Sequence, residues 1–172
     1  MDADAARIAL QKPAQAEGVG FDDDVIEEMI GATERYPYFI QEWGFHVWNA
    51  APSSPVKRRV VEETTPQIIA HLDANFFRVR FDRLTALQQK YLRAMAELGS
   101  GPHKTGDIAA TLGVEPSAVA TVRQQLIDKG MVWSQRFGET AFTVPMFDTF
   151  MKRQMPKLEK HVPRRRTQRK AM

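Results

Sequence analysis

The sequence predicts a mainly α protein, a helical bundle followed by a winged helix-turn-helix domain with a small β-hairpin wing. Three observations predict it. Apolar residues recur at three- and four-residue spacing along most of the chain. Residues 105–130 read as a short helix, a tight turn after Gly113 and a longer helix. Two short runs, "MVWSQRF" and "TAFTVP", have β character, and Gly138-Glu139 between them signals a hairpin. The expected boundaries are 1–80 for the helical region, 81–155 for the winged helix, and 156–172 for a basic tail. That tail is charged and poor in large apolar residues, a composition that predicts disorder.

The elements follow in order. "ADAARIALQKPAQAEG" is helical in pattern, with Pro13 expected to interrupt it and Gly18 to end it. "FDDDVIEEMIGATE" is a second helix, with Asp22 as its cap and neighbouring acids suited to the positive end of the helix dipole. Val25, Ile26, Met29 and Ile30 form its apolar stripe. "RYPYFIQEWGFHVWNAA" is a third, with Pro37 in its first turn, where the missing N–H costs nothing. The prolines and serines of "APSSPVKRR" break the helical pattern, and a new helix is expected from Thr65 as cap with Pro66 first. Ile68, Ile69, Leu72, Phe76 and Phe77 then point inward.

In the second region, "LTALQQKYLRAMAELG" is a helix capped by Thr85 and closed by Gly99, with Leu87, Tyr91, Leu92, Met95 and Leu98 as its stripe. Thr105 is the expected cap of the short helix "TGDIAATLG". The longer helix of "VEPSAVATVRQQLIDKG" buries Val119, Val122 and Leu126 and turns Ser117, Thr121, Gln124 and Gln125 to solvent. "PMFDTFMKRQM" closes the domain as an amphipathic helix.

Composition bounds the partners. The chain has 172 residues and no cysteine, which excludes disulfides and Cys-zinc sites and fits a reducing cytoplasm. No apolar run approaches the roughly 20 residues of a membrane span, and "MDADAARIAL" lacks a secretory signal pattern. The net charge of +3 hides an asymmetry: residues 152–172 hold nine of the 24 basic residues and one of the 21 acids. The remainder is acidic, which argues against non-specific nucleic-acid binding over the whole surface.

"GSGPHKTGDIAATLG", Gly99 to Gly113, superficially suggests a phosphate-binding loop. Such a loop needs glycine immediately before the lysine and again five residues earlier, so that backbone amides can wrap the phosphates. Those positions hold His103 and Leu98, and the preceding element is a helix rather than a strand. The helix-turn-helix reading accounts for the same residues: Gly99 ends one helix, Thr105 starts the next and Gly113 leads to the corner. A DNA-reading helix offers polar side chains to bases and cations to phosphates. Here these are Ser117, Thr121, Gln124 and Arg123, with Lys104 and Arg136 flanking and Arg164, Arg165 and Arg166 in the tail. Glu115, Asp128 and Glu139 oppose phosphate binding.

Other chemistry has little support. His46, His71, His103 and His161 are far apart in the sequence, so no metal site is expected. Asp22, Asp23 and Asp24 read as first-turn acids. No local motif suggests a catalytic triad, so no catalytic residue is expected. Tyr36, Tyr38, Phe39, Trp43, Phe45 and Trp48 read mainly as core at helical spacing, with any exposed remainder favouring self-association or a partner protein.

"RYPYFIQEWGFHVWNAA", "HLDANFFRVRFDRLTALQQKYLRAMAELGSGP", "GDIAATLG" and "GETAFTVPMFDTFMKR" together resemble the C-terminal part of bacterial AAA ATPases. These are P-loop ATPases similar to archaeal and origin-recognition-type ATPases and to the STAND group. The resemblance covers roughly 3–155 and implies a helical lid followed by a winged helix, without the ATPase core. In that family a Gly-x-Pro motif of the lid packs near the adenine. Tyr36 and Pro37 match its last two positions and are the implied nucleotide contacts once a core is supplied, whereas Arg35 stands where glycine is expected. ATP and magnesium belong to the resembled family. The isolated chain lacks Walker A and Walker B sequences, so no cofactor and no ATPase activity are expected of it. Two functions stay open: a non-catalytic DNA-binding fragment, or a regulatory interaction module that works with a separate ATPase core.

Overall fold

A computed structural model describes residues 1–134, 136 and 138–158. The chain forms two compact units, Met1–Asp82 and Arg83–Met172.

The first unit is helical. Helix α1, Ala3–Ala16, is capped by Asp2, whose carboxylate accepts from the Ala5 amide at 2.7 Å. Pro13 lies inside this helix instead of interrupting it. Proline removes the N–H that would bond the Ala9 carbonyl, and both residues are exposed, so water can satisfy that oxygen. Helix α2, Asp23–Ala32, buries Val25, Ile26, Met29 and Ile30. Asp22 has the extended backbone of a cap, but its carboxylate takes no amide; it accepts instead from Lys57 Nζ at 2.8 Å. Helix α3, Pro37–Ala50, buries Phe39, Ile40, Trp43 and Val47.

Helix α4, Arg58–Leu72, begins seven residues before Thr65 and runs through Pro66. Arg58–Glu62 and Arg59–Glu63 pairs at 3.0 and 2.6 Å support its first turns. The Pro66 ring frees only the carbonyl of exposed Glu62, so the proline does not need the first-turn position. Thr65, expected as a cap, instead accepts from buried Trp43 Nε1 at 3.3 Å. A π-helical turn, Asp73–Phe77, leads into the single-turn α5, Arg78–Phe81. Phe76 stacks on Tyr38 at 5.0 Å between centroids, while Phe77 meets Phe39 edge-on at 5.7 Å.

The second unit is winged-helix-like. Helix α6, Ala86–Glu97, starts with a capping box: Thr85 Oγ1 accepts from the Gln88 amide, and Gln88 Oε1 accepts from the Thr85 amide. Tyr91, Leu92 and Met95 are buried as the stripe predicts, but Leu87 is 56% exposed and Leu98 39%. Strand β1 is the dipeptide His103–Lys104, followed by α7, Thr105–Leu112, and α8, Pro116–Asp128. Gly113 turns between the helices at φ 73°, a left-handed conformation suited to glycine. Strands β2, Val132–Trp133, and β3, Glu139–Phe142, pair antiparallel, with Val132 opposite Phe142. Strand β1 adds to the far edge of β3, giving the order β1-β3-β2. Helix α9, Phe147–Gln154, packs on α6. There Arg93, only 4% exposed, donates from Nε to the Met155 carbonyl at 2.6 Å and from Nη1 to Glu97 at 2.6 Å.

Candidate nucleic-acid interface

Helix α8 is placed by its apolar face, with Val119, Val122 and Leu126 buried against the unit's core. Ser117, Thr121 and Gln124 follow at positions i, i+4 and i+7, so they share the opposite face, and all three are exposed. Gln124 Nε2 donates to Asp128 at 2.8 Å, which places an acid at the end of that face. Gln125 is exposed as well, and its Oε1 accepts from Gln88 Nε2 at 3.1 Å. Lys129 closes the same group by donating to Gln88 Oε1 and the Arg83 carbonyl, each at 2.9 Å.

Arg123 is half-buried and fixed onto the hairpin. Its Nε donates to Thr140 Oγ1 at 2.8 Å, and Nη2 donates to Ser134 Oγ at 2.8 Å and the Glu139 carbonyl at 3.0 Å. Ser134 Oγ in turn donates to the Arg136 carbonyl at 2.8 Å. A second tether comes from Thr105, expected as a cap. Its amide and hydroxyl both donate to the Gly138 carbonyl, at 2.8 and 3.0 Å, while Lys104 holds the cap position of α7. Hairpin, β1 and both helices of the corner thus share one hydrogen-bonded seam.

Lys104 is exposed on β1, directly opposite Glu139. Arg136 is exposed on the hairpin connection, and its carbonyl accepts from the Glu139 amide at 3.0 Å. The structure therefore brings Lys104, Arg136 and Glu139 to one end of the small sheet, two cations around one acid. Behind it, the Tyr91 hydroxyl is buried with no hydrogen-bond partner among the described residues. Burial raises its pKa, opposed by the nearby Thr140 hydroxyl and Arg123 charge. Arg164, Arg165 and Arg166 lie outside the described residues.

Divided by unit, the charge asymmetry changes meaning. Residues 1–82 carry eight basic and fourteen acidic side chains, whereas 83–158 carry ten basic and six acidic. The net acidity belongs to the first unit, although Glu115, Asp128 and Glu139 remain in the second.

In that unit, Tyr36 precedes α3 and packs on Phe39 and Phe76, at 4.8 and 6.3 Å between centroids, and Pro37 occupies the first helical position. Arg35, where the resembled motif has glycine, takes a left-handed φ of 58°. The backbone thus holds a conformation that favours glycine with an arginine in it. An apolar groove of about 280 Å³ runs between α1 and α3, lined by Leu10, Pro13, Phe21, Ile40, Phe45 and Trp48, with Phe45 64% exposed. Two histidines that are distant in sequence meet here: the His46 and His71 rings are 5.3 Å apart, with Glu42 beside both. The only local signal was Glu42 and His46 one helical turn apart. His71 joins them only once α4 packs on α3.

A family described as a domain of unknown function (DUF8462) matches residues 74–151, less than half of the chain. No curated protein matches. Among solved structures, the chain is similar to the Thermotoga maritima RuvB Holliday junction branch migration motor. The match has 16% identity and a TM-score of 0.39, over 81% of this chain and 46% of that one. Two single-residue variants of the same RuvB match with equal identity and TM-score. The chain spans less than half the length of these structures. Among the described residues, no helix is long and apolar enough to cross a membrane.

Proposed function

We propose that the chain is a non-catalytic C-terminal part of an AAA-type ATP-binding protein of the cytoplasm, and that its second unit binds duplex DNA. The observation that carries this reading is the exposed Ser117, Thr121 and Gln124 face of α8, held by Arg123 beside a hairpin that presents Arg136. A helix of this kind lies in the major groove and offers polar groups to base edges, while the wing and Lys104 meet phosphates. Arg123 acts as a positioning residue in this scheme. The tail arginines 164–166 add sequence-independent attraction. The resemblance in sequence supports the AAA-type assignment, with Tyr36 and Pro37 contacting nucleotide only when a core subunit supplies the phosphate site.

Fluorescence anisotropy with a labelled duplex, titrated with salt, tests the reading. The full chain is expected to bind at low salt with a steep salt dependence. A 1–158 chain should bind more weakly but measurably, and R136A within it should reduce the salt slope by about 1. Absence of binding by either chain at low salt overturns the DNA assignment, and binding that vanishes with the tail reduces it to non-specific attraction. Sustained magnesium-dependent ATP turnover by a preparation free of contaminating ATPases overturns the non-catalytic assignment.

The α1–α3 groove favours a second reading, a regulatory interaction module. An apolar groove with a largely exposed phenylalanine suits a partner protein, either a separate ATPase core or a second copy. Analytical ultracentrifugation of the wild type and F45E distinguishes self-association, which the charge should abolish.

A further inference from the structure

We propose that Glu42, His46 and His71 form a binding site for a divalent transition-metal ion of the zinc type. Glu42 and His46 are one turn apart on α3, which puts both on one helical face. His71 comes from the last turn of α4, which packs against α3. Glu42 Oε2 lies 3.5 Å from His46 Nε2 and 3.7 Å from His71 Nε2. The three ligand atoms all fall within 4.8 Å of one another.

These spacings suit an ion better than they suit direct bonds. An N–H···O hydrogen bond spans about 2.7–3.2 Å, so the carboxylate oxygen is drawn up tightly to neither imidazole. Tetrahedral zinc, with bonds of about 2.0–2.1 Å, separates its ligand atoms by about 3.3 Å. The two carboxylate–imidazole separations are near that value. Two imidazole nitrogens and one carboxylate oxygen are the donors of a three-ligand zinc site with a remaining open position. Calcium and magnesium prefer all-oxygen sets. The side chains are 18%, 30% and 43% exposed for Glu42, His46 and His71, so the carboxylate is partly withdrawn from water and the imidazoles remain reachable.

The surroundings fix the ligands on rigid elements. The Trp43–Thr65 hydrogen bond ties α3 to α4. Phe45 meets the His46 ring edge-on at 5.3 Å. Tyr38, one turn before Glu42, has its hydroxyl pKa raised by burial and then by the Glu42 carboxylate, with Arg80 acting in the opposite direction.

Asn75 borders the site. Its Nδ2 donates to the His71 carbonyl at 3.1 Å and lies 3.2 Å from His71 Nδ1. In the tautomer that carries its proton on Nε2, His71 Nδ1 accepts from this amide. Metal binding at Nε2 requires that proton to move to Nδ1 through solvent, and the Asn75 amide then opposes it. A carboxylate in place of the amide would accept the Nδ1 proton and favour the ligating tautomer, the arrangement that orients zinc-binding histidines elsewhere.

Isothermal titration calorimetry of the tag-free full chain with zinc chloride tests the proposal, with magnesium chloride as the control ion. One zinc per chain is expected, and no magnesium uptake. H46A and H71A should each weaken zinc binding at least tenfold, whereas N75D should tighten it about tenfold. H103A and H161A should leave it unchanged, and circular dichroism of each zinc-free variant checks that it is folded. Zinc uptake that is equal in the wild type and in folded H46A/H71A overturns the site, as does loss of uptake in H103A alone. None of these readouts depends on DNA.

Discussion

The two units solve the same packing problem with different materials. In the first, long helices bury a dense aromatic cluster: Phe39 and Trp43 are fully buried, and Phe76 and Phe77 of the π-helical turn pack against Phe39. Its ion pairs include Arg7 with Glu27 and Arg58 with Glu28 and Glu62. The second unit adds a three-stranded sheet of very short strands, which hydrogen bonds from Arg123 and Thr105 tie to its helices. The lesson concerns charge as well as packing. An acidic, aromatic unit and a basic, hydrogen-bonded unit average to a net charge that describes neither.

Truncating the aromatic cluster should break this contrast most severely. Replacing fully buried Trp43 with alanine removes a large side chain and the donor to Thr65, and is expected to destabilise the first unit by about 3–5 kcal/mol, read as a lower urea midpoint. R123M should cost less, about 1–2 kcal/mol, because of its three acceptors only Thr140 is fully buried, while Ser134 is exposed and Glu139 half-buried. Hydrogen exchange would sharpen the comparison here, with amides of Glu139–Phe142 losing protection while α1 to α4 keep theirs. Uniform loss across the chain would mean that Arg123 does not act locally.

R35G runs the other way. A non-glycine residue at φ 58° is strained by roughly 1–2 kcal/mol, partly offset by the greater freedom that glycine brings to the unfolded chain. A stabilisation of about 0.5–1 kcal/mol is expected from thermal unfolding, and a loss of stability would show that the arginine side chain contributes something in place.

The smallest effect concerns Glu97. Its hydrogen bond and ion pair with Arg93 hold its pKa below the usual 4.5. A depressed carboxylate pKa stabilises the fold at neutral pH, and that contribution fades as pH falls below 4.5 through the folded-state value. E97Q should therefore flatten the acid limb of the stability–pH curve slightly and leave Arg93 bonded to Met155.

Much of the fold was legible because its signals are local. Thr85 and Gly113 each state a cap or a corner within a few residues. The mainly α class with its hairpin followed from them. What the sequence concealed was decided by partners remote along the chain. His103–Lys104 has no strand propensity and becomes β1 only because β3 offers an open edge. Pro66 looks like a helix start, yet the solvent around Glu62 lets α4 run through it. Asp22 could have capped α2, but Lys57 claims its carboxylate. The same holds for the sites. Ser117, Thr121 and Gln124 were readable from one helix's periodicity, whereas Arg123's attachment to the hairpin and the meeting of His46 with His71 required the pairing of separate elements.

The attachment of Arg123 has one more consequence. Because a single guanidinium holds Ser134, Glu139 and Thr140, and Thr105 grips Gly138 from the other side, α8 and the hairpin cannot be re-aimed separately. Transplanting α8 alone into another scaffold, or lengthening the hairpin to reach further, would leave these donors without acceptors. The transferable module is the whole of α7, α8 and the sheet, and any selection for altered specificity has to work through side chains on a fixed frame.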